Sequence, residues 1–166
     1  MVSLLAVIAF AGGLQAPPAN VHPPEVEARL GTIVGDWTIA GQEATVRETC
    51  EWYRNRSFVV CTSTDSSDGS MSQSILGYSA AEGRFTYHNF GSGGTSNSRV
   101  GYPHGENGLV YTLERRTSAG VVRTTTFLTP QSDGRFHFRE ERSVNGGPWS
   151  ESANFYYVRR GGAPVR

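Results

Sequence analysis

The sequence predicts an all-β protein, an up-and-down antiparallel β-barrel of about ten strands entered through a short helical turn. Three observations carry this. Short runs rich in aromatic and β-branched residues recur at intervals of about ten residues, each closed by a turn signal. Glycine is abundant at 20 residues and aromatics make up 11% of the chain, a composition suited to pleated strands and many turns. Beyond Gly31, no stretch has the periodicity of a helix. Strands joined by such short turns cannot be parallel, because each parallel crossover needs a dozen or more residues. A two-sheet sandwich is the rival arrangement of the same strands.

The elements follow in order. Residues 1–16 hold an apolar run, Val2 to Ala11 (VSLLAVIAFA), too short to span a bilayer and ending in small residues ahead of a proline-rich stretch. It reads as a signal peptide or an N-terminal apolar leader, without a basic residue before the run. Residues 17–30 form a proline-rich linker and a short helix, in which Glu25 to Gly31 places acids early and Arg29 late, as the helix dipole prefers. The barrel occupies residues 31–160 and a tail residues 161–166. Its strands are read at 34–40, 43–52, 58–65, 72–78, 84–90, 95–102, 109–116, 121–128, 135–142 and 150–159. Gly91-Ser92-Gly93-Gly94 is a turn between two of them.

The stretch CEWYRNRSFVVC contains both cysteines of the chain. Apolar residues flank the polar tip Arg54-Asn55-Arg56-Ser57, the pattern of a β-hairpin. With Asn55 and Arg56 as the turn, Arg54 opposes Ser57, Trp52 opposes Val59 and Cys50 opposes Cys61. Opposed Cα atoms on antiparallel strands lie about 4.5–5.5 Å apart, within reach of a disulfide. A cross-strand Cys50–Cys61 disulfide is therefore expected, with an oxidising compartment as its corollary. Together with the leader, this makes the protein secreted or periplasmic. Asn55-Arg56-Ser57 also fits a glycosylation sequon, but reads better as the hairpin tip.

Composition excludes other classes. The 15 basic and 15 acidic residues cancel, every basic residue is an arginine, and no basic run offers a surface for nucleic acid. No stable membrane span is expected. The four histidines, His22, His88, His104 and His137, are widely separated and form no ligand motif, so no metal site is expected. Neither a nucleophile elbow, a phosphate loop nor a dinucleotide fingerprint occurs, and no cofactor is expected.

The motifs Leu30-Gly31-Thr32-Ile33-Val34-Gly35-Asp36-Trp37, Glu48-Thr49-Cys50-Glu51-Trp52, Phe58-Val59-Val60-Cys61, Ser74-Ile75-Leu76-Gly77-Tyr78, Phe85-Thr86-Tyr87 and Phe127-Leu128-Thr129-Pro130 share their order with a known group. The chain from about Leu30 to Val158 resembles the lipocalin-like (calycin) barrels, the lipocalin and fatty-acid-binding-protein type, and among them a bacterial branch known only as a domain of unknown function. The resemblance implies structural roles for Gly35 and Trp37, with Trp37 plugging the closed end of the barrel. It also implies that an arginine of the last strand, Arg159 or Arg160, stacks on Trp37. Further motifs of the fully fledged lipocalins have no counterpart here, so carriage of a retinol-like ligand does not transfer.

Alternation along the strands selects the residues facing inward. Tyr87 and Asn89 share a face with Phe85; Tyr111 and Leu113 share one with Leu109; Phe136, Phe138 and Glu140 share another. On the last strand the choice between Phe155 with Tyr157 and Tyr156 with Val158 stays open. Tyr87, Asn89, Tyr111, Leu113, Arg123, Phe136, Phe138 and Tyr157 are the expected ligand-binding set, mostly apolar with a few groups to orient a guest. The expected partner is a small hydrophobic or amphipathic molecule, bound by a monomer or homodimer. A filled core would look the same in sequence. The alternative from another class is a cofactor-free isomerase, cyclase or lyase, with Glu140 as acid or base beside Tyr87 and with Arg123 placed to pair with Glu140 or with an anionic guest. A third is a structural or partner-binding barrel with a filled interior.

Overall fold

A tight turn sets the register on which the remaining strands are laid. In the computed structural model, which describes residues 22–161, Asn55 and Arg56 both have positive φ, 54° and 56°. Positive φ at both central residues is the backbone of a two-residue hairpin loop whose twist matches that of its strands. The hairpin arms are β2 (Val46–Trp52) and β3 (Phe58–Asp65). They pair with Trp52 opposite Val59 and Cys50 opposite Cys61, as the sequence predicts. The two cysteines form a disulfide with their Cα atoms 4.0 Å apart. Both are buried.

The other strands are β1 (Gly35–Ile39), β4 (Ser70–Ser79), β5 (Arg84–Gly91), β6 (Ser96–His104), β7 (Gly108–Thr117), β8 (Gly120–Pro130), β9 (Phe136–Val144) and β10 (Ser150–Arg159). Each pairs antiparallel with its sequence neighbours, and β1 pairs with β10, so the sheet closes on itself. The sandwich is thereby excluded. A closed barrel leaves no free sheet edge. The leader assigned to residues 1–16, the start of the linker and residues 162–166 of the tail lie outside the described residues.

The second strand is shorter than its sequence suggests. Residues 43–45 belong to a turn, in which the Thr45 amide donates to the Gln42 carbonyl at 3.0 Å, so the ladder begins only at Val46. The sixth strand extends past Tyr102 to His104, because Pro103 and His104 still lie opposite Leu109 and Gly108.

One end of the barrel is plugged. Helix α1 (Pro24–Gly31) starts with a proline in its first turn, where the missing N–H has no intrahelical partner to lose. Its buried Val26 and Leu30, with Ile33 beyond it, join Trp37, Val59, Phe85, Leu109 and Phe136 in one core cluster. The Arg29 guanidinium ties the helix to the β6–β7 hairpin, donating to the carbonyls of Gly108 at 2.7 Å and Gly105 at 3.2 Å. A second tie is the ion pair between Glu27 and Arg56 at the tip of the β2–β3 hairpin.

The seam between β1 and β10 has only three registered residue pairs, Trp37 with Arg159, Thr38 with Val158 and Ile39 with Tyr157. Side chains reinforce it. Arg159 is the arginine that stacks on Trp37, its guanidinium carbon 4.2 Å from the ring centroid, and it donates to the Val34 carbonyl at 3.1 Å. The Trp37 indole N–H donates to the Ile33 carbonyl at 2.7 Å. Gly35 makes room for this arrangement. Its φ is +143°, and a β-carbon there would collide with the Arg159 guanidinium.

Gly35→Ala is therefore expected to destabilise the fold by about 1–3 kcal/mol, measured by urea denaturation, with loss of the near-ultraviolet signal of Trp37 at lower denaturant. Replacing both cysteines by serine removes a cross-link between positions 11 residues apart. By the chain-entropy argument this lowers stability by about 2–3 kcal/mol, read from the same denaturation curves with the wild type under oxidising conditions as reference.

Candidate functional site

Strand parity sends one side chain in two into the barrel, and the inward set changes character along the barrel axis. At the α1 end it is apolar: Ile33, Trp37, Leu76, Leu128 and Phe136. Towards mid-barrel it becomes tyrosine, hydroxyl and carboxyl: Glu48, Ser74, Tyr87, Tyr111, Thr126 and Tyr157, with Cys61 and Phe138 among them. Together these residues line a cavity of about 60 Å³. Pockets for drug-sized ligands run to about 300–1,000 Å³, whereas one water takes about 30 Å³ of liquid. The barrel is therefore neither solidly filled nor widely hollow; it holds a narrow chamber at the junction of its apolar and polar layers.

Tyr111 is held flat against the wall by its cross-strand neighbour. Gly101 lies opposite Tyr111 and Phe85, and a β-carbon there would run into the Tyr111 ring, the close approach that a glycine in a strand interior often marks. The Tyr111 ring packs 5.5 Å from Tyr87 and is only 1% exposed. Its hydroxyl has no hydrogen-bond partner. Burial pushes its pKa far above that of an ordinary tyrosine, so the group stays a neutral O–H at the cavity wall. An unpaired buried hydroxyl costs about 1–3 kcal/mol, which makes it a feature needing a cause.

Tyr87 and Tyr157 are also raised by burial. The Ser74 hydroxyl donates to the Tyr87 oxygen at 3.2 Å and itself accepts from the Asn89 amide at 2.9 Å. The Tyr157 hydroxyl donates to a Glu48 carboxyl oxygen at 3.2 Å. Burial raises the Glu48 pKa, against the opposing pull of hydrogen bonds from Tyr157 and Ser63. Among the described residues no arginine forms an ion pair with it. The sulfurs of Cys50 and Cys61 lie within 4.8 Å of the Glu48 carboxyl, but as a disulfide they offer no thiolate to a metal.

A second acid points inward in different company. Glu140 forms an ion pair with Arg99 at 2.8 Å and accepts hydrogen bonds from Thr126 at 3.0 Å and Ser152 at 3.1 Å. Arg99 also contacts the Thr126 hydroxyl and lies 5.4 Å from the Tyr87 ring centroid.

Of the residues expected from sequence, Tyr87, Tyr111, Phe136, Phe138 and Tyr157 line the chamber, and Asn89 backs it through Ser74. The open choice on the last strand resolves to Phe155 and Tyr157, since Phe155 stacks on Phe138 at 4.7 Å. Leu113 shares the Tyr111 face but lies outside the cavity wall. Arg123 is a correction: it is on the outer surface, opposite Glu114 on the neighbouring strand, and its guanidinium pairs with that carboxylate at 2.7 Å. The inward positions of its strand are Val122, Thr124, Thr126 and Leu128, of which Val122, Thr124 and Thr126 are almost wholly buried. Glu140 is inward as expected, but its partner is Arg99 and it does not line the chamber beside Tyr87. The acid that does is Glu48, which alternation with Val46 and Cys50 would have found.

No family model matches the chain, and no curated protein matches it significantly. Its architecture and site define it as a closed ten-stranded antiparallel barrel, plugged at one end, with a small internal chamber walled by aromatic rings and one partly buried carboxyl.

The raised pKa of Glu48 has a defined sign in stability. The unfolded chain gives up this proton at the ordinary carboxylate pKa, while the folded barrel keeps it to higher pH. The wild type thus loses stability as pH rises from the ordinary value to the raised one. Glu48→Gln removes that loss. The variant's stability relative to wild type is expected to be greater at about pH 7 than at about pH 4, measured by urea denaturation of both proteins at each pH; an unchanged difference would refute the assignment.

Proposed function

We propose that the chamber binds a small hydrophobic or amphipathic molecule, in the manner of a lipocalin-like carrier or sensor. The observation that carries this reading is the Tyr111 hydroxyl, wholly buried, without a partner and bordering a cavity. A guest supplying a hydrogen-bonding atom would satisfy it. The rest of the wall suits the apolar part of such a molecule, which would leave water for a surface of Trp37, Leu76, Phe136 and Phe138 at about 25 cal/mol per Å² buried. The chamber's size limits the guest to a small molecule or to the head of a slender one reaching towards the polar end of the barrel. The likeness to lipocalin-like proteins in Gly35-x-Trp37, and in the stacking of Arg159 on Trp37, supports the same class.

Export fits this proposal. The apolar leader read in residues 1–16 would direct the chain to a secreted or periplasmic location, and the Cys50–Cys61 disulfide is a bond that persists in oxidising compartments. Among the described residues, no helix is long and apolar enough to cross a membrane.

Native mass spectrometry of the protein purified from its own host, followed by organic extraction, tests the reading. One reproducible small molecule per chain is expected; a clean unliganded mass, with no thermal shift from a panel of small amphiphiles, would overturn it. Tyr111→Phe supplies the residue-level check. Without guest the variant is expected to be more stable than wild type by about 1 kcal/mol, because a buried unpaired hydroxyl has gone, and with guest it is expected to bind more weakly.

A further inference from the structure

The carboxyl in the chamber has the wrong partners for an empty site. Glu48 is partly buried on β2 with two neutral donors, the hydroxyls of Tyr157 and Ser63, and no cation stands within ion-pair distance of it among the described residues. The chain holds no lysine. The inward arginine of this region, Arg99, already pairs with Glu140 at 2.8 Å. Buried carboxyls are ordinarily matched by a positive charge or a metal, and the nearby sulfurs are locked in a disulfide.

Building on the proposed binding function, we propose that the guest is a small protonated amine whose ammonium group takes Glu48 as its counter-ion. The surroundings suit that charge. The faces of aromatic rings carry negative potential and attract ammonium ions, and Trp37, Tyr87 and Tyr157 border the chamber beside the carboxyl. The unpartnered Tyr111 hydroxyl offers an oxygen lone pair to a second ammonium N–H. This donor set also discriminates. Once ionised, Glu48 would meet a carboxylate guest with like charge, and an alcohol would bring it no cation, so the same residues favour the amine over both. The short, apolar closed end receives the carbon chain.

Matched linear series test this on the full protein: n-alkylamines, n-alkanols and n-alkanoates of three to six carbons, with dissociation constants read from amide chemical-shift changes in NMR titrations. The amine is expected to bind at least about tenfold more tightly than the alcohol of equal length, a difference of about 1.4 kcal/mol, and the alkanoate more weakly than either. In Glu48→Gln, which keeps the side-chain shape, the preference for amine over alcohol is expected to fall to about twofold or less. Equal binding of amine and alcohol by the wild type overturns the ammonium assignment and leaves the cavity reading standing; so does an amine preference that survives in Glu48→Gln. If no series binds in the chamber, the binding function fails and this inference with it. The wild-type comparison alone decides the matter should the variant not fold.

Discussion

Closure of the sheet depends on a seam that is short in backbone and strong in side chains. The strands β1 and β10 share three registered pairs, as β1 and β2 do, against five or more in every other ladder, so hydrogen bonding alone would leave this edge prone to fraying. Trp37 resolves it by lying inside the seam as the floor of the barrel, hydrogen-bonded to the chain just before β1 and covered by Arg159 from β10. The guanidinium can reach that position only over a residue without a side chain, which is why Gly35 stands two residues before the tryptophan. Floor, seam and the chain leading in from α1 are therefore one construction, and the interior above it inherits its shape.

A closed barrel with strict alternation leaves little freedom inside. Whatever occupies every second position must be packed, hydrogen-bonded or matched in charge. The apolar end meets this with rings and aliphatic side chains under the helix. Mid-barrel meets it with short hydroxyl relays, Asn89 to Ser74 to Tyr87, and with the Arg99–Glu140 pair backed by Thr126. Two groups stand apart, the Tyr111 hydroxyl without a hydrogen bond and the Glu48 carboxyl with hydroxyl donors and no cation, and both border the chamber.

Sequence revealed these features unevenly. The register of the β2–β3 hairpin was legible because a two-residue turn fixes it, and register alone places Cys50 opposite Cys61. Phe136 and Phe138 were legible because they alternate with charged residues. Arg123 was not: in VVRTTTFL both faces hold two apolar residues and at least one threonine, so alternation has no contrast, and only pairing with β7 shows that Val122 and Thr124 go inward. Glu48 had the opposite difficulty. Its parity with Val46 and Cys50 is plain in VRETCEW, but the equally polar Arg47, Thr49 and Glu51 on the other face leave no sign in the sequence that one acid is the inward one. Arg99 lay in a polar strand with no hydrophobic stripe, so neither its direction nor its partner could be read before the sheet closed.

The two inward acids show how environment assigns roles to identical chemistry. Glu140 is matched by a guanidinium and two hydroxyls, so its charge is compensated within the protein and nothing from outside is required. Glu48 is held by hydroxyls alone. Those hydrogen bonds favour its charged form, burial opposes them, and burial prevails, so the empty barrel carries a carboxyl that retains its proton above the ordinary range. That state is stable only while no cation is at hand. A positive charge brought into the chamber would reverse the balance by Coulomb attraction in a poorly screened interior. The same burial that makes the unpaired anion unfavourable would strengthen its attraction to a partner. Selectivity for an ammonium guest would then come from the energetics of leaving Glu48 alone, with no further contact needed to recognise the charge.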